Sequence, residues 1–241
     1  MVLEGIHLSY REVSVLNGVD LELRPGITAL LGVNGAGKTT LMNIAAGSLR
    51  PDRGLAAVVG QAVYRSRSRR RALRHVAMMP QGSSFPGNLT AHETVRYIAW
   101  MRGMPPHVTA GAATDALDRV GLAAESSRKI RRMSGGMRRR VALAQAIVSS
   151  PSLLLLDEPS TGLDPEQRHG MVALVRQLGG TVLLSSHVME DVRDLADRVL
   201  VLHRGSIRFD GTVAELERYG SDGNNRATEE GFLAVINDGP R

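Results

Sequence analysis

The hydrophobic rhythm of the chain changes three times along its length. From Leu3 to Ser9 and from Val19 to Leu23 apolar and polar residues alternate, the period of strands with one buried face, and Pro25-Gly26 turns the chain into the apolar run Ile27 to Leu31. Gly32 to Gly37 then separates that run from a helical segment carrying Leu41, Ile44 and Ala45. Leu55 to Val59 and His75 to Met79 read as further strands, the second ending at Pro80-Gln81. From Gly82 to about Ser150 strand alternation gives way to helical spacing. Thr90 with Glu93 three residues on is a capping box that opens a helix with Val95, Ile98 and Ala99 inward. A helix from Thr109 to Val120 stops at Gly121, and Ser134 caps another whose apolar face is Val141, Leu143, Ala144, Ile147 and Val148.

Strand signals return at Leu153 to Leu156, an unbroken apolar run suited to a parallel strand covered on both faces, and the centre of the sheet is expected there. Asp164-Pro165 starts a helix that ends at Gly179-Gly180, before the strand Thr181 to Ser185. Val199 to Leu202 and Ile207 to Phe209, joined around Arg204-Gly205, read as a closing hairpin. These elements predict an α/β fold: a mostly parallel sheet, an N-terminal antiparallel β portion, and an inserted helical subdomain at about 82–150. The expected organisation is one domain over 1–219 and a flexible tail over 220–241, with a Gly-Asn stretch and one short amphipathic piece from Glu229 to Ile236.

Composition narrows the chemistry. The 241 residues include no cysteine, so disulfides and thiolate metal sites are excluded, and any metal would rest on carboxylates, hydroxyls and phosphates. The start Met1-Val2-Leu3-Glu4 lacks a basic segment followed by an apolar one, and no apolar run approaches the ~18 residues of a membrane span. Neither secretion nor membrane crossing is expected. The net charge of +6 would suit an anionic partner, but lysine occurs only at Lys38 and Lys129 and the arginines gather around Arg65 to Arg74 and Arg128 to Arg140. The first of these runs lacks interleaved aromatics for base stacking, so a solvated face is expected and a nucleic-acid partner is not.

Gly32-Val33-Asn34-Gly35-Ala36-Gly37-Lys38-Thr39-Thr40 sits between an apolar strand and a helix and matches the phosphate-binding P-loop pattern. Glycines let successive backbone N–H groups curl around phosphates, and the helix N-terminus adds its positive dipole end. Lys38 would pair with β- and γ-phosphates and the Thr39 hydroxyl would ligate magnesium. Leu153 to Leu156 ends in Asp157-Glu158-Pro159, placing Asp157 on the metal side and Glu158 where it can accept a proton from attacking water. A nucleoside triphosphate with Mg²⁺ is the ligand this pairing predicts, ATP or GTP alike.

Met133-Ser134-Gly135-Gly136-Met137, taken alone, is a serine-capped helix with a Gly-Gly entry. Before Asp157-Glu158, however, it resembles the signature motif of the ABC (ATP-binding cassette) ATPases, and the resemblance runs from about residue 2 to 215. It departs from the usual Leu-Ser-Gly-Gly-Gln at Met133 and Met137, so a glutamine contact is not carried over, whereas Ser134, Gly135 and Gly136 are. The resemblance implies that these three grip the γ-phosphate of nucleotide held by the other subunit. It further implies that Tyr10 stacks on adenine, that Gln81 senses magnesium and the attacking water, that Ser160 to Asp164 crosses a dimer interface, and that His187 contacts the γ-phosphate. Tyr10 and His187 alone would pass for an ordinary strand tyrosine and an isolated loop histidine.

The implied protein is the ATPase subunit of a transporter. It would work as a homodimer on an integral membrane permease at the cytoplasmic face of the membrane, with Ser-Gly-Gly-Met-Arg-Arg-Arg resembling bacterial multidrug, antibiotic and polysaccharide exporters. The alternative is a non-transport ABC ATPase acting on nucleic acid or the ribosome, although such proteins usually join two cassettes or insert a long coiled coil, and neither is present here. Phe85, Tyr97 and Trp100 mark the segment expected to face the permease, with Phe85 expected to be the least core-like of the three.

Overall fold

In the computed structural model residues 1–82, 84–220 and 226–238 are described. Strands β1 (Val2–Tyr10), β2 (Val13–Glu22), β4 (Arg53–Val58) and β5 (Gln61–Ala62) form a four-stranded antiparallel sheet in the order β2-β1-β4-β5. Strands β3 (Gly26–Leu31), β6 (Val76–Met79), β7 (Leu153–Asp157), β8 (Thr181–Ser185), β9 (Arg198–His203) and β10 (Ser206–Gly211) form the second sheet, ordered β10-β9-β3-β8-β7-β6. All its pairings are parallel except the β9–β10 hairpin.

The run Leu153 to Leu156 does lie in a buried parallel strand, yet β7 is not the centre. It is second from an edge, and the middle of the sheet falls between β3 and β8. A continuous apolar run reports cover on both faces, and β7 gains that cover because helices also lie over the short edge strand β6; position in the strand order leaves no mark on the run. The β2 strand begins at Val13, well before the alternation at Val19, because its first residues pair with Ser9 and Tyr10 on an exposed end of the sheet.

Alternate residues of the second sheet feed two different cores. Leu30, Leu153, Leu155, Leu183, Leu200 and Leu202 point toward the antiparallel sheet and helix α1 (Lys38–Ala45), which buries Leu41, Met42, Ile44 and Ala45 there. Leu31, Leu154, Leu156, Leu184, Val199 and Val201 point toward the helices on the other face. The parallel sheet is therefore the middle layer of three, and each fully buried leucine contributes roughly 1.5–3 kcal/mol of burial energy.

On the helical face lie α3 (Ala91–Met101), α4 (Pro106–Arg119), a short 3₁₀ turn at Ile130–Arg132 and α5 (Gly135–Ile147). Thr90 and Glu93 form the reciprocal capping box, with Val95 and Ala99 fully buried and Ile98 packed beside them. Helix α4 begins at Pro106, ahead of the expected Thr109, because proline is well suited to the first helical position. All five residues expected on the apolar face of α5 are buried.

The arginine run forms helix α2 (Ser66–Arg74), of which only Ala72 is buried, so a solvated face is what it presents. The chain continues through α6 (Pro165–Gln177), α7 (Met189–Leu195) and α8 (Val213–Glu217) to α9 (Ala227–Asp238). Helix α9 starts earlier than the expected amphipathic piece and seats Phe232 and Val235 in the helical-face core. The Gly-Asn stretch expected to be flexible lies outside the described residues.

Candidate active site

The C-terminal ends of β3, β8, β7 and β6 lie side by side; the P-loop, His187 and Asp157-Glu158 follow the first three and Gln81 follows β6. Beyond β3 the chain turns through Gly32 to Gly37 into α1. Gly37 adopts φ +102° as the residue preceding the helix, a left-handed conformation that favours glycine, and a Cβ there would meet Leu16 and the Val15 carbonyl at 3.1 Å. At Gly32 a Cβ would stand 2.5 Å from the Leu202 carbonyl, so the loop is pressed against β9 as well. Val33, Asn34 and Gly35 are exposed at the outside of the turn, while Ala36 and Lys38 are buried. The Lys38 ammonium donates to the Gly32 and Val33 carbonyls at 2.7 and 3.1 Å. Burial pulls its pKa down, and the nearby charges of Glu158 and Asp157 oppose that shift.

Thr39 Oγ1 donates to Asp157 Oδ2 at 3.1 Å, joining the P-loop helix to the end of β7. The second Asp157 oxygen accepts from Ser185 Oγ at 2.6 Å, across the register pair that closes β7 and β8. Ser185 also accepts from the Glu158 N–H through its hydroxyl at 3.0 Å, so one buried serine orients both acids. The sequence reading did not single out Ser185; the available signal was a hydroxyl ending an otherwise apolar strand, in register with the aspartate.

Around the Glu158 carboxylate three side chains converge. Gln81 Nε2 donates to Oε2 at 2.7 Å, Thr161 Oγ1 donates to the same oxygen at 3.1 Å, and His187 Nδ1 stands 3.3 Å from Oε1. Glu158 itself has φ +50°, a left-handed backbone that non-glycine residues seldom adopt. Such strain persists only where the surroundings over-determine it, and it gathers at functional sites.

The remaining expected residues lie elsewhere. Tyr10 is 52% exposed at the end of β1, paired with Val13. Thr40 follows Thr39 in the first turn of α1, half-buried. Ser134 caps α5 by accepting from the Met137 N–H at 3.2 Å, and both it and Gly135 are exposed. Gly136 is buried beneath the Gln167 side chain, which a Cβ there would meet at 2.3 Å. Asp164 caps α6 by accepting from the Gln167 N–H at 2.8 Å. Among the described residues no hydrogen bond joins residues 134–136 to the P-loop of the same chain.

The donor set suits magnesium with a nucleotide polyphosphate. A hydroxyl and a carboxylate oxygen meet at the rim of a loop built to receive phosphate, and magnesium is usually held by one or two protein oxygens plus substrate phosphates.

Residues 16–161 match the family described as ABC transporter. The chain belongs to that family. It is an ATP-binding cassette, which binds ATP with magnesium and hydrolyses it to drive transport. The cassette is 33% identical over 242 residues to the linearmycin resistance ATP-binding protein of Bacillus subtilis strain 168, covering 97% of this chain and 77% of that one. It is 37% identical over 206 residues to the Nod factor export ATP-binding protein I of Burkholderia thailandensis, covering 84% and 67% of the two chains. A solved ATP-binding subunit of an ABC transporter superposes with a TM-score of 0.78 at 26% identity, covering 90% of this cassette and 91% of that chain. No described helix of the cassette is long and apolar enough to cross a membrane.

Proposed function

We propose that the cassette powers export through a separate integral membrane subunit, two copies working head to tail at the cytoplasmic face of the membrane. The observation that carries this reading is the convergence of Gln81, Thr161 and His187 on the Glu158 carboxylate, one residue beyond an aspartate bonded to the P-loop threonine. Export is supported by relatives named for Nod factor export and for antibiotic resistance.

The residues divide the work as follows. The N–H groups of residues 34–39 and the Lys38 ammonium hold the β- and γ-phosphates, and Tyr10 stacks on adenine. Thr39 and Asp157, with Gln81, would hold magnesium, and the ion when bound would neutralise charge on the phosphate oxygens. Glu158 takes the proton of the attacking water, Gln81 orients that water, and His187 steadies the γ-phosphate. Exposed Ser134 and Gly135, with Gly136, reach the nucleotide of the opposite copy, and Asp164 lies in the loop that lines the dimer contact. This division of labour is supported by the exposure of Ser134 and Gly135 at the start of α5.

The surface proposed for the membrane subunit is the α3–α4 face. There Tyr97 and Trp100 are 52% and 57% exposed, with ring centroids 6.0 Å apart, beside a groove of about 360 Å³ lined by Leu89, Glu93, Arg96 and Pro106. Phe85, expected to be the least core-like of the three aromatics, is instead half-buried and packs on the helical-face core.

The test is to prepare the cassette in inverted membrane vesicles together with a candidate integral membrane subunit, chosen as a neighbouring coding sequence with about six apolar spans. ATP with magnesium is expected to drive substrate uptake into those vesicles, with free phosphate released in the absence of any phosphoryl acceptor. Phosphate release that requires nucleic acid or ribosomes and is indifferent to the membrane protein would overturn the reading.

A further inference from the structure

Arg139, in the second turn of α5, sends its guanidinium out of the helix and into the loop that follows β7. Nε donates to the Pro159 carbonyl at 2.9 Å, Nη2 donates to the Asp157 carbonyl at 3.3 Å and to the Glu158 carbonyl, and Nη1 donates to the Gln81 carbonyl. Arginine suits this position because its planar fork presents five donors and no acceptor. The acceptors are four main-chain oxygens, so the bonds serve backbone shape and not charge pairing.

Those four carbonyls bracket the strained residue of the site. Glu158 is left-handed, which costs a non-glycine residue about 1–2 kcal/mol, and its peptide is gripped from both sides. Ser185 accepts the Glu158 N–H, and Arg139 donates to the Glu158 carbonyl. The same guanidinium holds the backbone of Gln81, whose side chain is bonded to the Glu158 carboxylate. Ser134 and Arg139 lie on one rigid helix, with Ser134 as its cap.

We infer that Arg139 is a positioning residue that locks the left-handed turn at Glu158 and ties it to the helix whose cap meets the opposite copy's nucleotide. The inference rests on the proposed function. In a head-to-tail dimer Ser134 of one copy serves one composite site, and Glu158 of that same copy serves the other. Arg139 is then a strut of a few bonds between the two sites. Its loss lets the turn relax toward an ordinary backbone and swings the carboxylate away from the water it must reach, with binding of the phosphates left to the P-loop.

The experiment compares Arg139→Met and Arg139→Lys with the parental cassette, alone and combined with Glu158→Gln, by steady-state and long-time single-turnover ATP hydrolysis. Arg139→Met is expected to lower kcat about 10- to 100-fold, the scale of a misplaced catalytic group, with the KM for ATP changed less than about 3-fold. Lysine keeps the charge but not the fork, so Arg139→Lys is expected to fall between. In the Glu158→Gln background Arg139→Met is expected to cost nothing further, because a residue acting through Glu158 has nothing left to position. Parental kcat in either variant, or a full multiplicative loss on top of Glu158→Gln, would overturn the inference. Urea unfolding monitors the fold, and should the methionine variant not fold, the kcat and KM of the lysine variant decide. A parental cassette without ATPase activity would fail the proposed function itself, which is a separate result.

Discussion

Gln81 Nε2 donates to Glu158 Oε2 at 2.7 Å, so the residue proposed to orient the attacking water already touches the residue proposed to deprotonate it. For Glu158 to act as base this amide must exchange its bond for one to the water, with the carboxylate keeping its place through Thr161 and the turn behind it. Glu158→Gln keeps the size and removes the base. ATP binding is expected to stay within a few-fold of parental while turnover drops by about 10²–10⁴, the usual worth of a positioned general base. Nucleotide binding and phosphate release measured on one preparation check this, and a variant turning over at the parental rate would remove Glu158 from the mechanism.

Site sharing between copies is tested by complementation. Lys38→Ala and Ser134→Arg each disable both sites of their own homodimers. Mixed in equal amounts they place both lesions in one composite site and leave the other intact. Half of the dimers are then mixed, each with one working site, so recovery to about a quarter of parental activity is expected. Phosphate release from the mixture at or below that of the separate variants would mean that Ser134 serves its own P-loop.

How much of this was legible beforehand depends on whether a residue's role shows in its neighbours along the chain. Strands β3, β7 and β8 announce themselves because both faces are buried, and Thr90 with Glu93 fixes the start of α3 through local chemistry alone. The P-loop and Asp157-Glu158 were legible for the same reason, being contiguous. The position of β7 in the strand order was not, since burial carries no record of which strand lies alongside. Ser185 acts through a parallel strand 28 residues away from Asp157, and Arg139 reaches carbonyls of residues 81 and 157–159 from within Arg138-Arg139-Arg140, where nothing along the chain marks which guanidinium turns toward the site. Phe85 misled because a Gly-Pro-rich setting suggests exposure, whereas the fold folds that loop back onto the helical-face core.

Tyr64 supplies a prediction independent of catalysis. Its hydroxyl lies 2.5 Å from both the Ile44 and Leu49 carbonyls, pinning the end of α1 to the chain that follows, and burial pushes its pKa up to about 12. A tyrosine raised in the folded state contributes stability that is complete below the unfolded value near 10 and is lost as pH rises through about 12. Tyr64→Phe is therefore expected to cost about 1 kcal/mol at neutral pH by removing the donor. The stability gap between variant and parent should narrow between pH 10 and 12. Urea unfolding across that range checks the sign, and a gap that stays constant or widens would show that the hydroxyl is not the titrating contact.

Trp100 is the last position the structure singles out, because it is the only tryptophan of the chain and yet is 57% exposed. An aromatic of this size left at the surface, tilted against a second exposed ring at Tyr97 and beside an apolar groove, is the composition of an interface anchor and not of a core. Its helix is held independently by the Thr90–Glu93 box and by the buried Val95 and Ala99, so removing the indole should not unfold it. Trp100→Ala is expected to leave the ATPase rate of the isolated cassette within about 2-fold and to weaken assembly with the membrane subunit by the roughly 2 kcal/mol or more of a hot spot, about 30-fold in affinity. Trp100→Phe, which keeps an aromatic plane, should recover much of that loss. The check is co-purification of cassette and membrane subunit from detergent extracts across a dilution series, with ATPase measured on the free cassette. Should Trp100→Ala assemble as tightly as the parent, the docking surface lies away from the α3–α4 face; should it lose ATPase activity alone, Trp100 supports the fold of the cassette and the exposed ring has no partner role.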